Sequence, residues 1–196
     1  KYLSLGAYGD GVDFFSFKGG IETLLRELRI ADVRFEACTD NDSYHPGRCA
    51  NVYAGGKLLG VFGQIHPLVA ANYGVDTEIY TAELSFDAMY EMRGGIPVYQ
   101  PLPKFPAVTR DIAVVCDETV TVGALEESIR RGAKGLLKEV SLFDIYRGPG
   151  VAPGKKSVAF SLVLRADDRS LTGEEADEDV QSILAALKAD HNAVLR

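Results

Sequence analysis

A tyrosine, a serine and several cations lie close together in one short stretch of the sequence. Tyr146 is followed directly by Arg147, while Lys155, Lys156 and Ser157 come after a loop rich in glycine and proline. An aromatic ring can stack on an unpaired nucleobase, a hydroxyl can hydrogen-bond to the edge of that base, and cations attract the phosphates. These residue types therefore favour contact with a single-stranded nucleic acid.

The glycine-rich loop does not have the pattern of a nucleoside-triphosphate site. A P-loop has a glycine five positions before its Gly-Lys pair, where this sequence has Pro149, and Ser or Thr directly after the lysine, where it has Lys156. Predicted strands flank the loop on both sides, so no helix N-terminus faces a phosphate. A plain hairpin loop with solvated lysines, and a tyrosine at the edge of a core, is the alternative to contact with RNA.

Two predicted strands position these residues, over 140–147 and 157–165. Apolar residues alternate with small or polar ones along the second strand, which is typical of a strand with one buried face. The apolar set is Val158, Phe160, Leu162 and Leu164, and the other set includes Ser157, Ala159 and Ser161. We therefore expect a hairpin with one core face and one open face.

The second half of the chain shows the order strand, helix, strand, strand, helix, strand. A strand is predicted over 111–116, and Thr121 is placed to cap an amphipathic helix. After the hairpin, Thr172 and Glu175 form a Thr-x-x-Glu capping box ahead of a second helix, and a brief strand over 193–196 follows. This βαββαβ order predicts a ferredoxin-like domain, in which two helices cover one face of a four-stranded antiparallel sheet.

A proline-rich segment separates this domain from the first half of the chain. Residues 96–106 hold four prolines, whose spacing excludes a helix interior and a central strand. We place the boundary near Tyr99, which gives one domain over 1–98 and another over 99–196.

The first half is predicted to be an α+β unit with an antiparallel sheet. Its predicted elements are strands over 2–8 and 78–86, a hairpin over 49–65, and helices over 20–28 and 67–73. The hairpin turns at Gly55 and Gly56, where a tight turn requires positive φ angles. The sequence has no initiator Met and starts inside a predicted strand, so we expect a piece that lacks the first half of this unit and exposes an apolar edge.

The net charge of −7 argues against a protein that coats nucleic acid by bulk attraction, although the charge is unevenly distributed. Residues 128–166 hold eight cations and only two acids. No apolar run is long enough to span a membrane. The three cysteines do not form a disulfide framework, and they favour a cytoplasmic location.

The sequence lacks the usual patterns of metal ligands and catalytic groups. Cys38, His45, Cys49 and His66 do not have the spacing of zinc ligands, and each of the two histidines precedes a proline in a predicted turn. Serine, histidine and acidic residues do not recur in the arrangement of a nucleophile elbow. We therefore predict neither a metal site nor a catalytic residue in this chain.

Several motifs occur in a specific order along the chain. In the first half they are Asp13–Gly19, His45–Arg48 and Gly60–Pro67, and in the second half Pro103–Ala113, Leu142–Gly148, Gly154–Ser157 and Leu171–Thr172. The first set resembles the second half of the catalytic-like domain in the bacterial phenylalanyl-tRNA synthetase β-subunit family. The second set resembles the ferredoxin-fold anticodon-binding domain of that family. One departure is Gln64, where the family motif has a glutamate.

The resemblance implies an α+β chain with an antiparallel-sheet, partial class II synthetase-like module followed by a ferredoxin-like βαββαβ domain. It implies a part of a heterotetramer of two α and two β subunits, which joins phenylalanine to tRNA-Phe with ATP and magnesium. In that family the α subunit carries the chemistry. This piece is therefore expected to hold no cofactor and to bind the anticodon stem-loop of tRNA-Phe.

The resemblance also assigns roles to residues in the matching motifs. Tyr146 is expected to stack on or border a splayed anticodon base, Ser157 to hydrogen-bond to a base edge or ribose, and Ala113 to leave room for the base. Five cations are expected to contact the RNA backbone: Arg147, Lys155, Lys156, Arg165 and Arg196.

Two other classes of function are compatible with the sequence. Ferredoxin-like domains also serve as modules that sense small molecules such as amino acids, with the ligand at a helix–strand interface. The chain could alternatively be a purely structural piece whose first module forms a subunit interface.

Overall fold

The computed structural model describes residues 1–99 and 101–196. They form two compact units, Lys1–Tyr99 and Gln100–Arg196. The elements of the first unit are β1 (Tyr2–Tyr8), α1 (Phe14–Glu27), β2 (Val33–Ala37), β3 (Tyr44–Ala54), β4 (Lys57–Ile65), α2 (Pro67–Asn72), β5 (Ile79–Ser85) and α3 (Phe86–Met92).

The first unit is built on a five-stranded sheet of order β1-β5-β4-β3-β2, with antiparallel neighbours throughout. Helices α1 and α3 pack on one face, where Leu25 and Met89 join a buried cluster around Phe62. A smaller buried cluster on the opposite face contains Cys38, Tyr44 and Cys49. The predicted antiparallel α+β unit is therefore confirmed, and β1 lies at one edge of its sheet.

Several elements of the first unit differ from the prediction in their extent. Helix α1 begins at Phe14 rather than at residue 20, because Asp13 and Ser16 form a capping box that precedes the two glycines. Strand β2 and helix α3 were not predicted, since five and seven residues give too short a periodic pattern. The predicted turn at 45–48 is part of β3, at a shift in its register with β4.

Between α3 and the next strand, the described residues form neither helix nor strand, as the four prolines predict. The elements of the second unit are β6 (Val108–Asp117), α4 (Val122–Gly132), β7 (Leu137–Tyr146), β8 (Lys155–Leu164), α5 (Gly173–His191) and β9 (Val194–Leu195). Their sheet has the order β7-β8-β6-β9, and all pairings are antiparallel. The predicted ferredoxin-like βαββαβ domain is confirmed.

The caps and the core of the second unit also follow the predicted pattern. Thr121 caps α4, and Thr172 with Glu175 forms the capping box of α5. The apolar set of β8 is fully buried. Val158, Phe160 and Leu162 of this set form one cluster with Leu125 of α4 and Ile183 of α5. Both helices therefore lie on one side of the sheet. We call the other side, which carries Ser157, Ala159, Ser161 and Val163 of β8, the open face.

Candidate nucleic-acid interface

Strand pairing brings the three residues of the predicted base site together on the open face. Tyr146 of β7 lies opposite Ser157 of β8, which in turn lies opposite Val115 of β6. In the next row, Ala113 of β6 lies opposite Ala159 of β8. Because residues directly opposite in an antiparallel pair share a face, Tyr146, Ser157 and Ala113 occupy two adjacent rows.

The last strand adds Arg196 to the same place. The backbone N–H of Arg196 donates to the carbonyl oxygen of Ala113 at 2.8 Å, which continues the pairing of β9 with β6. Its guanidinium carbon lies 4.9 Å from the centroid of the Tyr146 ring. Arg196 therefore contacts the predicted stacking residue in the free chain.

The Tyr146 ring is also held by the loop that follows β7. Its hydroxyl donates to the carbonyl oxygen of Pro149 at 3.3 Å. A Cβ on Gly148 would lie only 2.7 Å from that hydroxyl and 2.9 Å from the ring carbon that bears it. The absence of a side chain at Gly148 thus lets the loop approach the edge of the ring.

Ser157 is less accessible than the prediction of an open, polar strand face implied. It is 3% exposed, and Ala159 in the next row is 7% exposed. Tyr146 and Arg196 lie on the two edge strands with β8 and β6 between them, so their contact passes over the central strands. The Ser157 hydroxyl is therefore little exposed to solvent in the free chain.

Asp144 is an open-face residue to which the sequence prediction gave no role. It lies two residues before Tyr146 on β7, opposite Ala159, and is exposed. Among the described residues its carboxylate makes no ion pair. The sequence could have indicated this position through the spacing of Asp144 from Tyr146, because residues i and i+2 of a strand share a face.

Lys156 does not have the solvated position that the alternative of a plain hairpin loop gave it. Strand β8 begins at Lys155, so Lys156 shares the buried side of Val158 rather than the open face of Ser157. It is 6% exposed, and its Nζ donates to the backbone carbonyl of Glu118 at 3.0 Å. The alternative of a solvated loop lysine is therefore wrong for Lys156, and its contact with the RNA backbone stays a prediction.

Arg147 is held by the same acidic residue. Its Nη2 and Nε donate to Oε1 of Glu118 at 2.7 and 2.9 Å. Hydrogen bonding from Arg147 holds the pKa of the Glu118 carboxyl below its ordinary value, and the same contact raises the pKa of Arg147. The guanidinium is therefore already paired, and an RNA phosphate would have to compete with Glu118.

The other two predicted backbone clamps lie apart from each other. Lys155 is near Ser157 but donates to Oδ1 of Asp117 at 2.8 Å. Arg165 follows the far end of β8, and its separation of eight positions from Ser157 spans roughly 26 Å along a strand. In the described part of the chain, its Nε is buried without a hydrogen-bond partner. Arg165 and Tyr146 are therefore too far apart to contact the same nucleotide.

The cation-rich stretch from 128 to 166 does not produce a continuous basic surface. Beyond Arg147 and Lys155, Arg131 pairs with Asp190 and Lys138 pairs with Asp167. The acidic partners lie outside that stretch of sequence. The fold therefore brings acids next to the cations that are concentrated between residues 128 and 166. The electrostatic attraction of this unit for a polyanion is correspondingly small.

Three other features of the described residues bear on function: the possible metal ligands, the cysteines and the hydropathy of the helices. In the described part of the chain, no three His, Cys, Asp or Glu side chains are grouped so that they could hold a metal ion. Burial raises the pKa of the Cys49 thiol to about 12, with a further contribution from a hydrogen bond with Cys38, which disfavours the thiolate. None of the helices in the described residues is long and apolar enough to cross a membrane.

Two family models match the two halves of the chain. Residues 103–196 match the ferredoxin-fold anticodon-binding domain, and residues 1–86 match the CLM domain of the phenylalanyl-tRNA synthetase β chain. The second unit is thus an anticodon-binding domain of ferredoxin fold. The site described above lies on the one sheet of that domain.

Curated relatives named phenylalanine–tRNA ligase β subunit match nearly the whole chain. The protein of Symbiobacterium thermophilum is 46% identical over 177 residues, which are 90% of this chain and 20% of the relative. Those of Bacillus subtilis and Clostridium tetani are 42% and 38% identical, over 94% and 99% of this chain and 23% and 24% of the relatives. The chain belongs to the phenylalanyl-tRNA synthetase β-subunit family, as its motifs predicted, and spans about a fifth to a quarter of these relatives.

Proposed function

We propose that this chain binds the anticodon stem-loop of tRNA-Phe through the open face of its second unit and supplies no catalytic residue. The observation that carries the proposal is the strand register, which places Tyr146, Ser157 and Ala113 in adjacent rows of a sheet face without helices. Aromatic rings on an open sheet face stack on unpaired bases of single-stranded RNA.

The three residues have complementary roles in this proposal. The Tyr146 ring stacks on a base that is splayed out of the loop, and the small side chain of Ala113 leaves room for that base. The Ser157 hydroxyl, which lies on β8 between the strands of the other two residues, hydrogen-bonds to the base edge or to the ribose.

Asp144 adds a preference for the kind of base. An ionised carboxylate only accepts hydrogen bonds, and it can accept two in parallel. Guanine presents two adjacent N–H donors on its Watson–Crick edge, whereas adenine and the pyrimidines do not. Since Asp144 shares the open face with Tyr146, we propose that a guanine is the base bound there.

The charge distribution supports a weak and local contact rather than a long RNA track. Asp111, Glu139 and Asp144 lie on the open face along the rows beyond Tyr146 and would repel a phosphate backbone. The end of the open face that carries Tyr146 also carries two cations, Lys155 and Arg196. We therefore expect few phosphate contacts, a shallow salt dependence and low affinity for an isolated stem-loop.

The rest of the assembly follows from the family. We propose that the chain works within a cytoplasmic heterotetramer of α and β subunits that ligates phenylalanine to tRNA-Phe with ATP and magnesium. We assign ATP and magnesium to other parts of that enzyme, as the family resemblance implies.

The test is binding of the tRNA-Phe anticodon stem-loop to the full chain, measured by fluorescence anisotropy. Tyr146→Ala is expected to weaken binding by about 1–3 kcal/mol through the loss of stacking. Tyr146→Phe is the matched control, because it keeps the ring and removes only the hydrogen bond to Pro149. Equal affinities for the wild type and Tyr146→Ala would contradict the proposal.

A role of the first unit at a subunit interface is supported by its edge strand. Tyr2 and Tyr8 of β1 are 71% and 73% exposed, on a strand that lies at the edge of the sheet beside β5. The double variant Tyr2→Ser/Tyr8→Ser tests this interface by co-elution with a purified α subunit. Loss of co-elution would support the interface, and unchanged co-elution would contradict it.

Calorimetry with free phenylalanine tests the alternative of an amino-acid sensor. An RNA-binding chain is expected to show no heat of binding, and measurable heat would favour the sensor.

A further inference from the structure

Arg196 and Tyr146 meet although they come from opposite edges of the sheet. Strands β7 and β9 are separated by β8 and β6, and neighbouring strands lie about 4.8 Å apart. Both side chains must therefore extend towards each other across the central strands to bring the guanidinium to 4.9 Å from the ring centroid.

An acidic partner does not account for the position of Arg196. Among the described residues its guanidinium makes no ion pair, although Asp144 lies on the same open face. The group that it contacts is the ring. A planar guanidinium is suited to lie over an aromatic face, where the ring quadrupole attracts it.

We propose that Arg196 is a positioning residue, whose guanidinium holds the Tyr146 ring over the central strands so that the ring's other face receives the base. This inference rests on the proposed function of the open face. It differs from the role of a backbone clamp, in which Arg196 would contact a phosphate and leave the ring unaffected.

The other contacts of Tyr146 support a ring whose orientation is set before RNA binds. Pro149 accepts a hydrogen bond from its hydroxyl, and Gly148 lies against the same end of the ring. These contacts hold the tip of the side chain, while Arg196 holds a face. A ring fixed in this way loses little conformational entropy when a base stacks on it.

The two roles of Arg196 predict different results for stem-loop binding. We would measure the affinity of the full chain at salt concentrations from about 50 to about 200 mM. For a positioning residue, Arg196→Ala weakens binding about two- to fivefold, as expected for an exposed cation–π contact, and the slope of affinity against salt stays constant. Arg196→Lys behaves like Arg196→Ala, because the charge is kept and the planar group is lost.

A double-mutant cycle with Tyr146 gives the decisive comparison. In the Tyr146→Ala background, Arg196→Ala is expected to cause no further loss, because the two residues act through one contact. Arg165→Ala is the matched control, an arginine beyond the far end of β8 that does not contact the ring. If Arg196→Ala instead lowers the salt slope by about 0.7 to 0.9, and loses as much affinity without Tyr146 as with it, Arg196 is a clamp and the inference is overturned.

A measurement without RNA separates this inference from the proposed function. The ring signals of Tyr146 in the NMR spectrum, assigned through Tyr146→Phe, are expected to shift in Arg196→Ala and to stay in place in Arg165→Ala. Unchanged ring signals overturn the inference even if the stem-loop binds. A shift together with no binding of the wild type supports the role of Arg196 in orienting the ring and contradicts the proposed function alone.

Discussion

Lys156 and Ser157 are neighbours in the sequence, yet their side chains lie on opposite faces of β8. Lys156 is on the helix-covered side with its Nζ at the carbonyl of Glu118, and Ser157 is on the open face beside Tyr146. The separation follows from the start of β8 at Lys155, since alternation applies from the first paired residue. The two adjacent lysines, Lys155 and Lys156, therefore lie in different environments.

Lys156→Ala is expected to reduce stability and to leave RNA binding unchanged. The aliphatic stem of this lysine is buried, so its removal should lower the free energy of unfolding by about 1–3 kcal/mol. Lys155→Ala is the matched control, since its exposed ammonium is paired with Asp117. It should change stability little and make the salt dependence of stem-loop binding shallower. Urea unfolding and binding titrations check both, and a shallower salt dependence in Lys156→Ala would contradict its assignment.

Asp144→Asn is expected to weaken the preference for guanine. The amide cannot accept two parallel hydrogen bonds, so the affinity for a stem-loop with guanine at the stacked position should fall by about 1–3 kcal/mol. Asp111→Asn removes the same charge from the same face one row further along β6 and should leave the base preference unchanged. Titration with stem-loops that differ only in that base separates the two variants. An equal change in the guanine preference of Asp144→Asn and Asp111→Asn would indicate a general effect of charge instead.

Gly132→Ala is expected to destabilise the second unit, because α4 and α5 are in close contact at this glycine. An added Cβ would lie 2.8 Å from Cβ of Ala186 and 3.0 Å from Cα of Ile183, which forces the helices apart. Overpacking of this kind costs about 1–3 kcal/mol. Gly123→Ala in the same helix has no atom within 4 Å of its Cβ and should instead stabilise by up to about 1 kcal/mol. If the unfolding midpoints of Gly132→Ala and Gly123→Ala both move in the same direction from that of the wild type, the close contact between α4 and α5 is refuted.

Glu175→Gln is expected to make the chain less sensitive to acid. Hydrogen bonds from the Thr172 backbone and from Arg169 hold the pKa of Glu175 below its ordinary value of 4.5. A lowered folded-state pKa stabilises the fold above the unfolded-state pKa, and that contribution is lost as the pH falls through the lowered pKa. Glu175→Gln should therefore lose less stability than the wild type between about pH 5 and pH 3.

The control for this variant lies in the same helical turn. Glu174→Gln removes a carboxylate from the first turn of α5 without touching the capping hydrogen bonds. It should retain the acid sensitivity of the wild type, measured by thermal unfolding across the same pH range. If both variants flatten the pH dependence equally, the effect comes from the total charge of the turn rather than from the cap.

The sequence alone determined the features that depend on local order. The alternation of β8 assigned its core face, and the Thr-x-x-Glu pattern located the start of α5, because a strand's period and a helix cap are set by residues close in the chain. The order of the elements then identified the ferredoxin-like fold. The motifs around Tyr146 and Ser157 identified the family, which the relatives confirm.

Only the tertiary structure decided which of the candidate residues are available to a ligand. Pairing between distant strands brought Arg196 to Tyr146, and acids from other parts of the chain neutralised Arg147 and Lys155. No short sequence pattern predicts these contacts. The two residues of each pair are many positions apart in the chain and meet only through the register of the sheet. For the same reason Ser157, on a central strand of the sheet, became a buried residue.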